Sequence, residues 1–187
     1  LNPSFQPIWE TKNEGYKRIR LLDYEAGYGH TLELCKTFGI DGYGVDVDQQ
    51  RIAHCQEKNL NVTTPQSLEA SGFDIVISNS VVEHVIDLSE YFDFISSRIN
   101  PGGIFIFNGL NPKIIKIEKS IGKFKNVHPI EHLSLFTNKP LLTITKDYGF
   151  YPISKSQLIS AILREPFNFS LILPFLIFGA TFFRKGN

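Results

Sequence analysis

Residues 19–29 read Ile-Arg-Leu-Leu-Asp-Tyr-Glu-Ala-Gly-Tyr-Gly. A short apolar run ends in Asp23, breaks into a loop carrying Gly27 and Gly29, and enters a helix-like segment from His30 to Phe38. Strand, tight glycine loop and helix, in that order, bring bare backbone against a ligand at a helix N-terminus. Further on, Tyr43-Gly44-Val45-Asp46 reads as a second strand closing on an acid. An acid in that place accepts hydrogen bonds from two ribose hydroxyls. Loop and acid together describe a nucleoside site. A dinucleotide fingerprint needs a small residue three positions past the second glycine, where helix and strand pack closely, and Leu32 stands there instead. The Gly-Lys-Ser/Thr ending of a phosphate-binding loop is also missing.

The rest of the chain alternates strand-like and helix-like runs, which argues for an α/β fold: a doubly wound parallel sheet with helices on both faces. Strands are expected at Ile19–Asp23, Gly42–Asp46, Val62–Thr64, Ile75–Ser78 and Ile104–Asn108, with later ones at Tyr151–Ser156 and Ala180–Arg184. Helices are expected at His30–Phe38, Gln49–Lys58, Leu88–Ile99 and Lys139–Tyr148. Leu88, Tyr91, Phe92, Ile95 and Ile99 recur at three and four residues and form one apolar face. Asn100-Pro101-Gly102-Gly103 has the chemistry of a helix stop and turn. Ligands of such sheets collect at the carboxyl ends of the strands. Asp23, Asp46, Asn79 and Asn108 each close an expected strand, so all four should face one crevice. Asp46 is the expected ribose partner; the competing reading makes it a helix cap, a role Asp48 can fill.

A length of 187 residues and 42% hydrophobic content fit one domain with one core. Formal net charge is zero, so nothing global argues for nucleic acid or an acidic membrane surface. Cys35 and Cys55 lack metal spacing and read as idle thiols of a reducing compartment, and no signal peptide is visible, so a cytoplasmic protein is expected.

Four blocks carry a family resemblance: Leu22–Gly29, Gly44–Asp46, Phe73–Val85 (Phe-Asp-Ile-Val-Ile-Ser-Asn-Ser-Val-Val-Glu-His-Val) and Ile99–Phe107 (Ile-Asn-Pro-Gly-Gly-Ile-Phe-Ile-Phe). A fifth, Glu131–Thr137 followed by Tyr148-Gly149-Phe150, matches a closing segment. Over roughly residues 19 to 150 the chain resembles the class I S-adenosylmethionine-dependent methyltransferases, in the small-molecule branch that includes the ubiquinone-biosynthesis O-methyltransferases. The resemblance implies a Rossmann-like, mostly parallel seven-stranded sheet and a single domain over 1–187, with a substrate-side cap at 109–137 and an apolar tail at 167–187. It also implies S-adenosylmethionine as cofactor. Residues placed around it are Asp23, Tyr24, Glu25, Ala26, Gly27 and Gly29 of the loop, Asp46 and Val47, Gln66 and Ser67 on the adenine side, and Asn79 and Ser80. His84, Glu83 and His132 fall to catalysis, and Asn108, Asn111 and His128 to the acceptor.

Two departures matter. Glu25 replaces the family's usual glycine, adding a side chain and a charge; it either repels the cofactor's carboxylate or binds its ammonium. Ser80 stands where ubiquinone-type enzymes place an acid that joins Glu83 and His84 around a metal, so no obligatory metal is expected. Pro129 likewise breaks a helical His128/His132 pair as a zinc site.

Lys113, Lys116, Lys119 and Lys123 share one side of an expected helix, opposite Ile114, Ile117, Ile121 and Phe124; the lysines either attract an anionic acceptor or form a solvated face, the commoner meaning of such a pattern. Residues 167–183 carry no charge, but Pro174 and Gly179 weaken a membrane span; a core element or a surface-docking segment for a lipid-linked acceptor fits better. The expected function is methyl transfer to a small molecule, at a hydroxyl oxygen. Nucleic-acid substrates are disfavoured because Asn79-Ser80-Val81-Val82 replaces an Asn/Asp-Pro-Pro-Tyr/Phe segment. The alternative is a non-catalytic binding module whose cofactor site Glu25 has altered.

Overall fold

Hydrophobic alternation sets the centre of the sheet. In β1 (Arg20–Tyr24), Leu21 packs on one face with Cys35, Ile75, Ile77 and Ile106, while Leu22 packs on the other with Val76, Phe92 and Phe105. Both faces of the strand are apolar because both are covered, as parallel sheets require. The computed structural model describes residues 18–108, 138–154, 156–157 and 181–186.

After β1 come α1 (His30–Thr37), β2 (Asp41–Val45), α2 (Gln49–Glu57), β3 (Asn61–Thr63), β4 (Phe73–Asn79), α3 (Leu88–Arg98), β5 (Ile99–Asn108), α4 (Asn138–Asp147), β6 (Phe150–Ile153) and β7 (Thr181–Lys185). The strands form one seven-stranded sheet in the order β3-β2-β1-β4-β5-β7-β6. Strands β1 to β5 run parallel to one another, and β7 runs antiparallel to both β5 and β6. The order reverses at β1, between β2 and β4. That switch point is where the carboxyl ends of the strands splay and a ligand crevice opens.

Helix α3 buries the face its periodicity marks, through Tyr91, Phe92 and Ile95. Asp87 caps it by accepting hydrogen bonds from the Ser89 and Glu90 amides at 2.8 and 3.2 Å. Burying a Phe92-sized side chain contributes about 2–3 kcal/mol, and the Tyr91 hydroxyl is satisfied by donating to Ser78 Oγ at 2.7 Å.

The Asn100–Gly103 stop differs from expectation. Helix α3 ends at Arg98 and the chain enters β5 at once, at Ile99. The Asn-Pro-Gly-Gly stretch is a bulge within β5: Ile99 pairs Phe73, but Ile104 already pairs Ile75. The bulge is held where Asn100 Nδ2 donates to the Gly72 carbonyl at 3.0 Å and to Asp74 Oδ1 at 2.9 Å. A bulge keeps a strand paired while absorbing extra residues, which a turn motif alone does not reveal.

Residues 181–185 of the apolar tail form β7, with Phe182 and Phe183 buried. The remainder of the tail, from 167 to 180, lies outside the described residues, as does the 109–137 insertion. Among the described residues no helix is long and apolar enough to cross a membrane. Cys35 and Cys55 are free and buried; burial pushes the Cys35 thiol up to about 12.

Candidate active site

The turn after β1 is built by three interlocking hydrogen bonds. The Ala26 amide donates to the Val45 carbonyl at 2.9 Å, and the Gly29 amide to the Ala26 carbonyl at 2.9 Å. The Gly27 amide donates to Asp46 Oδ2 at 2.8 Å. The other oxygen of that carboxylate, Oδ1, accepts from the Asp48 amide at 2.9 Å. Asp46 therefore ties the turn after β1 to the loop after β2, and it is 0% exposed. Arg51, 3.8 Å from Oδ2, supplies the countercharge. Asp48 is the cap of α2, accepting from the Gln50 and Arg51 amides, so the two acids divide the roles that the sequence left open.

The bulk of Leu32 is accommodated from the neighbouring strand. A Cβ at Gly44 would meet Ala26 Cβ at 2.8 Å, Leu32 Cδ1 at 2.9 Å and Val62 Cγ2 at 3.0 Å. The close packing that the dinucleotide pattern secures with a small residue on the helix is secured here by a glycine on β2. Gly29 is equally confined: with φ +79°, its added Cβ would lie 2.6 Å from Leu60 Cδ1. Its bare side faces the interior. The missing side chain of Gly29 serves packing. A Cβ on Gly27 would meet nothing within 4 Å.

A cleft of 1160 Å³ opens at the carboxyl ends of β1, β2 and β4. Of the expected residues, Tyr24, Glu25, Val47, Gln66, Asn79, Ser80 and His84 line it. Asp23, Ala26, Gly27, Gly29, Asp46, Ser67 and Glu83 are not on the wall described for it. Asp23 and Asp46 are buried behind the wall that Asn79 lines. Strand β1 continues through Tyr24, and alternation turns Tyr24 toward the cleft and Asp23 away. Asp46 lies beneath the wall and serves it as a brace. Asn108 closes β5, and its side chain lies outside the described residues, as do Asn111, His128, Glu131 and His132.

Sequence reading missed Arg51, Glu90, Phe94 and Arg98, which also line the cleft. The last three recur every four residues, a second stripe on α3 beside its buried one, and helical periodicity could have revealed it. Arg98 stacks over the Phe94 ring at 3.9 Å and donates to the Leu68 carbonyl at 3.4 Å. Tyr24 meets Tyr91 and Phe94 edge-on, with ring centroids 5.2 Å apart in both cases.

Backbone strain concentrates on this wall. Among the described residues only Glu25, Asn59 and Ser80 combine a side chain with positive φ, at 63°, 57° and 56°, and Glu25 and Ser80 line the cleft. A left-handed residue with a Cβ costs about 1–2 kcal/mol, a cost that characteristically persists at functional sites. Half-buried Glu25 takes no hydrogen bond or ion pair among the described residues. Burial, and then the Asp46 charge, pushes its carboxyl above the usual range, while Arg51 and His84 pull it back.

Burial pushes the Asp23 carboxyl from 3.8 up to about 7, against the pull of the Thr31 hydroxyl and with a further push from Asp46. Between those values the folded protein binds a proton that the unfolded chain has lost, so this group's contribution to stability falls as pH rises from about 4 to 7. A three-unit displacement corresponds to about 4 kcal/mol. Asp23→Asn is expected to gain stability relative to wild type across that window, measured by urea unfolding at a series of pH values. Parallel curves would assign the pH dependence to other groups.

Val82–His84 forms a short 3-10 turn just beyond β4. His84 is exposed on the cleft wall. Glu83 Oε2 is buried without a hydrogen-bond partner, an unfavourable state that a donor would relieve. No group of three or more His, Cys, Asp or Glu among the described residues has the arrangement to hold a metal ion.

Comparison with known proteins agrees with this fold. Residues 7–155 match the family model described as a methyltransferase domain. The ubiquinone biosynthesis O-methyltransferase of Paramagnetospirillum magneticum is 31% identical over 105 residues, 51% of this chain and 42% of that protein. The Roseobacter denitrificans protein of the same name is 32% identical over 108 residues, 52% of this chain and 44% of its own. The chain thus spans less than half the length of these curated relatives. A crystal structure of a SAM dependent methyltransferase from Archaeoglobus fulgidus superposes with a TM-score of 0.58 at 21% identity, covering 90% of this chain and 86% of that one, a likeness of fold.

Proposed function

The chain belongs to the methyltransferase-domain family, and on that premise we propose that it transfers a methyl group from S-adenosylmethionine to a hydroxyl oxygen of a small molecule. The observation that carries this reading is the cleft at the sheet's switch point, walled by a glycine turn that a buried carboxylate holds rigid. The residues present suit the cofactor. Val47, 66% exposed, and Pro65 offer apolar surface to a purine face, Gln66 and Asn79 offer amide groups, and Glu25 offers negative charge to a cationic group. The cofactor supplies an electrophilic methyl group on a sulfonium.

The chain's own residues have two tasks. The first is to hold donor and acceptor in line at near-attack distance, which the rigid turn and the α3 stripe support. The second is to take the acceptor's proton as its oxygen becomes a nucleophile. His84, exposed at the cleft wall with an imidazole that can accept a proton, is suited to that. Glu83 lies off the wall, and we give it the role of positioning this corner, because its buried oxygen calls for a donor.

The test uses cofactor carrying a labelled methyl group with phenolic, catecholic and alkyl alcohol acceptors. Label in an ether product is expected, and His84→Gln should lower kcat about 100-fold with little change in cofactor affinity. Label only in amines would remove the oxygen assignment. A second reading, a binding module without catalysis, is favoured by Glu25, whose side chain enters the cleft where the family has glycine. Under that reading the wild type binds no cofactor.

A further inference from the structure

We infer that Glu25 makes this cleft select the sulfonium form of the cofactor over its neutral thioether product, an inference that rests on the methyl-transfer reading. Three independent features meet at this residue. It holds a left-handed backbone, φ 63°, that glycine would adopt without strain. Its side chain lines the cleft. Its carboxylate has no hydrogen-bond or ion-pair partner among the described residues. A strained, half-buried and unpaired carboxylate is costly to keep unless something charged arrives to meet it.

Of the other charged groups on the wall, three are already engaged, and Glu90 on α3 adds a second carboxylate. Arg51 lies 3.8 Å from Asp46 Oδ2 and 3.7 Å from Asp48 Oδ2. Asp87 is committed to capping α3, and Arg98 stacks on Phe94. Glu25 therefore presents uncommitted negative charge at the end of β1, the strand where the sheet order reverses. S-Adenosylmethionine carries a positive sulfur. When its methyl carbon bonds to the acceptor oxygen, the carbon–sulfur pair stays on sulfur, the acceptor's proton leaves to a base, and that positive charge is gone. A fixed carboxylate beside the ligand holds the donor and relaxes its hold on the product. The cost of an unusual glutamate in a glycine loop is offset by easier product release.

Calorimetry with S-adenosylmethionine and S-adenosylhomocysteine on wild type, Glu25→Gln and Glu25→Gly tests this. Wild type should prefer the sulfonium form at least tenfold. Glu25→Gln, equal in size and uncharged, should bind it about tenfold more weakly while binding the thioether unchanged. Glu25→Gly should lose the same preference while melting at a higher temperature, which separates charge from strain should the glutamine variant fold poorly. An identical preference in wild type and both variants overturns the inference and leaves methyl transfer standing. Binding by Glu25→Gly alone overturns the inference in favour of the binding-module reading. Absence of binding in all three overturns the methyl-transfer reading, and the inference with it.

Discussion

Asp46→Ala is expected to cost about 3 kcal/mol of stability and to weaken S-adenosylmethionine binding by at least tenfold. The carboxylate accepts from the Gly27 amide at 2.8 Å and the Asp48 amide at 2.9 Å, and Arg51 lies beside it. Truncation leaves the Gly27 and Asp48 amides without the acceptor that a carboxylate 0% exposed had supplied, while Arg51, 40% exposed, keeps Asp48 at 3.7 Å. Bonds to an ionised acceptor are the stronger kind, and an orphaned buried donor costs its full desolvation. The loss of affinity follows from the loss of shape, because Glu25 and Val47 hang from the two segments that Asp46 joins. Asp46→Asn separates charge from geometry: one amide hydrogen would then face a backbone donor, so most of the destabilisation should persist. Urea unfolding and calorimetry on the two variants measure both effects. Full stability in Asp46→Ala would show that the turn holds itself.

The second large effect is expected at Gly44→Val, a loss of about 3 kcal/mol or more. A single Cβ there would already stand 2.8 Å from Ala26 Cβ, 2.9 Å from Leu32 Cδ1 and 3.0 Å from Val62 Cγ2. Ala26 has no flexible end to swing aside, so relief requires the glycine turn to move from β2. Such movement would break the 2.9 Å bond from the Ala26 amide to the Val45 carbonyl. Leu32→Ala in the Gly44→Val background should recover part of the loss, and a double-mutant cycle reports the coupling. Simple additivity between the two substitutions would show that Leu32 is not the neighbour that matters.

These two residues also show how far one-dimensional reading reached. The strand, glycine turn and helix at residues 20–37, the acid after β2 and the apolar stripe of α3 follow from local pattern, and each stands where expected. Most element ends moved by a residue or two, whereas β6 stops at Ile153 rather than Ser156 and β5 begins at Ile99 rather than Ile104. Among the described residues the Asn100–Gly103 stretch changed character, because a bulge depends on what the partner strand does. Tyr24, Glu25, Val47, Gln66, Asn79, Ser80 and His84 reach the cleft. Asp23 does not, because alternation along β1 turns it to the face opposite Tyr24. Gly44 drew attention only as part of a motif, since its necessity comes from three side chains distant in sequence.

The amino-acid sequence by itself determined the alternating α/β layering, the glycine turn and the family blocks, because each rests on residues close together along the chain. Which carboxylate meets a ligand was decided only in three dimensions. Asp46 is sealed by two amides and an arginine, whereas Glu25 stands unpaired on the wall. The direction of a side chain at a strand end depends on register, on the sign of φ and on what neighbouring strands bring beside it, and none of these is local.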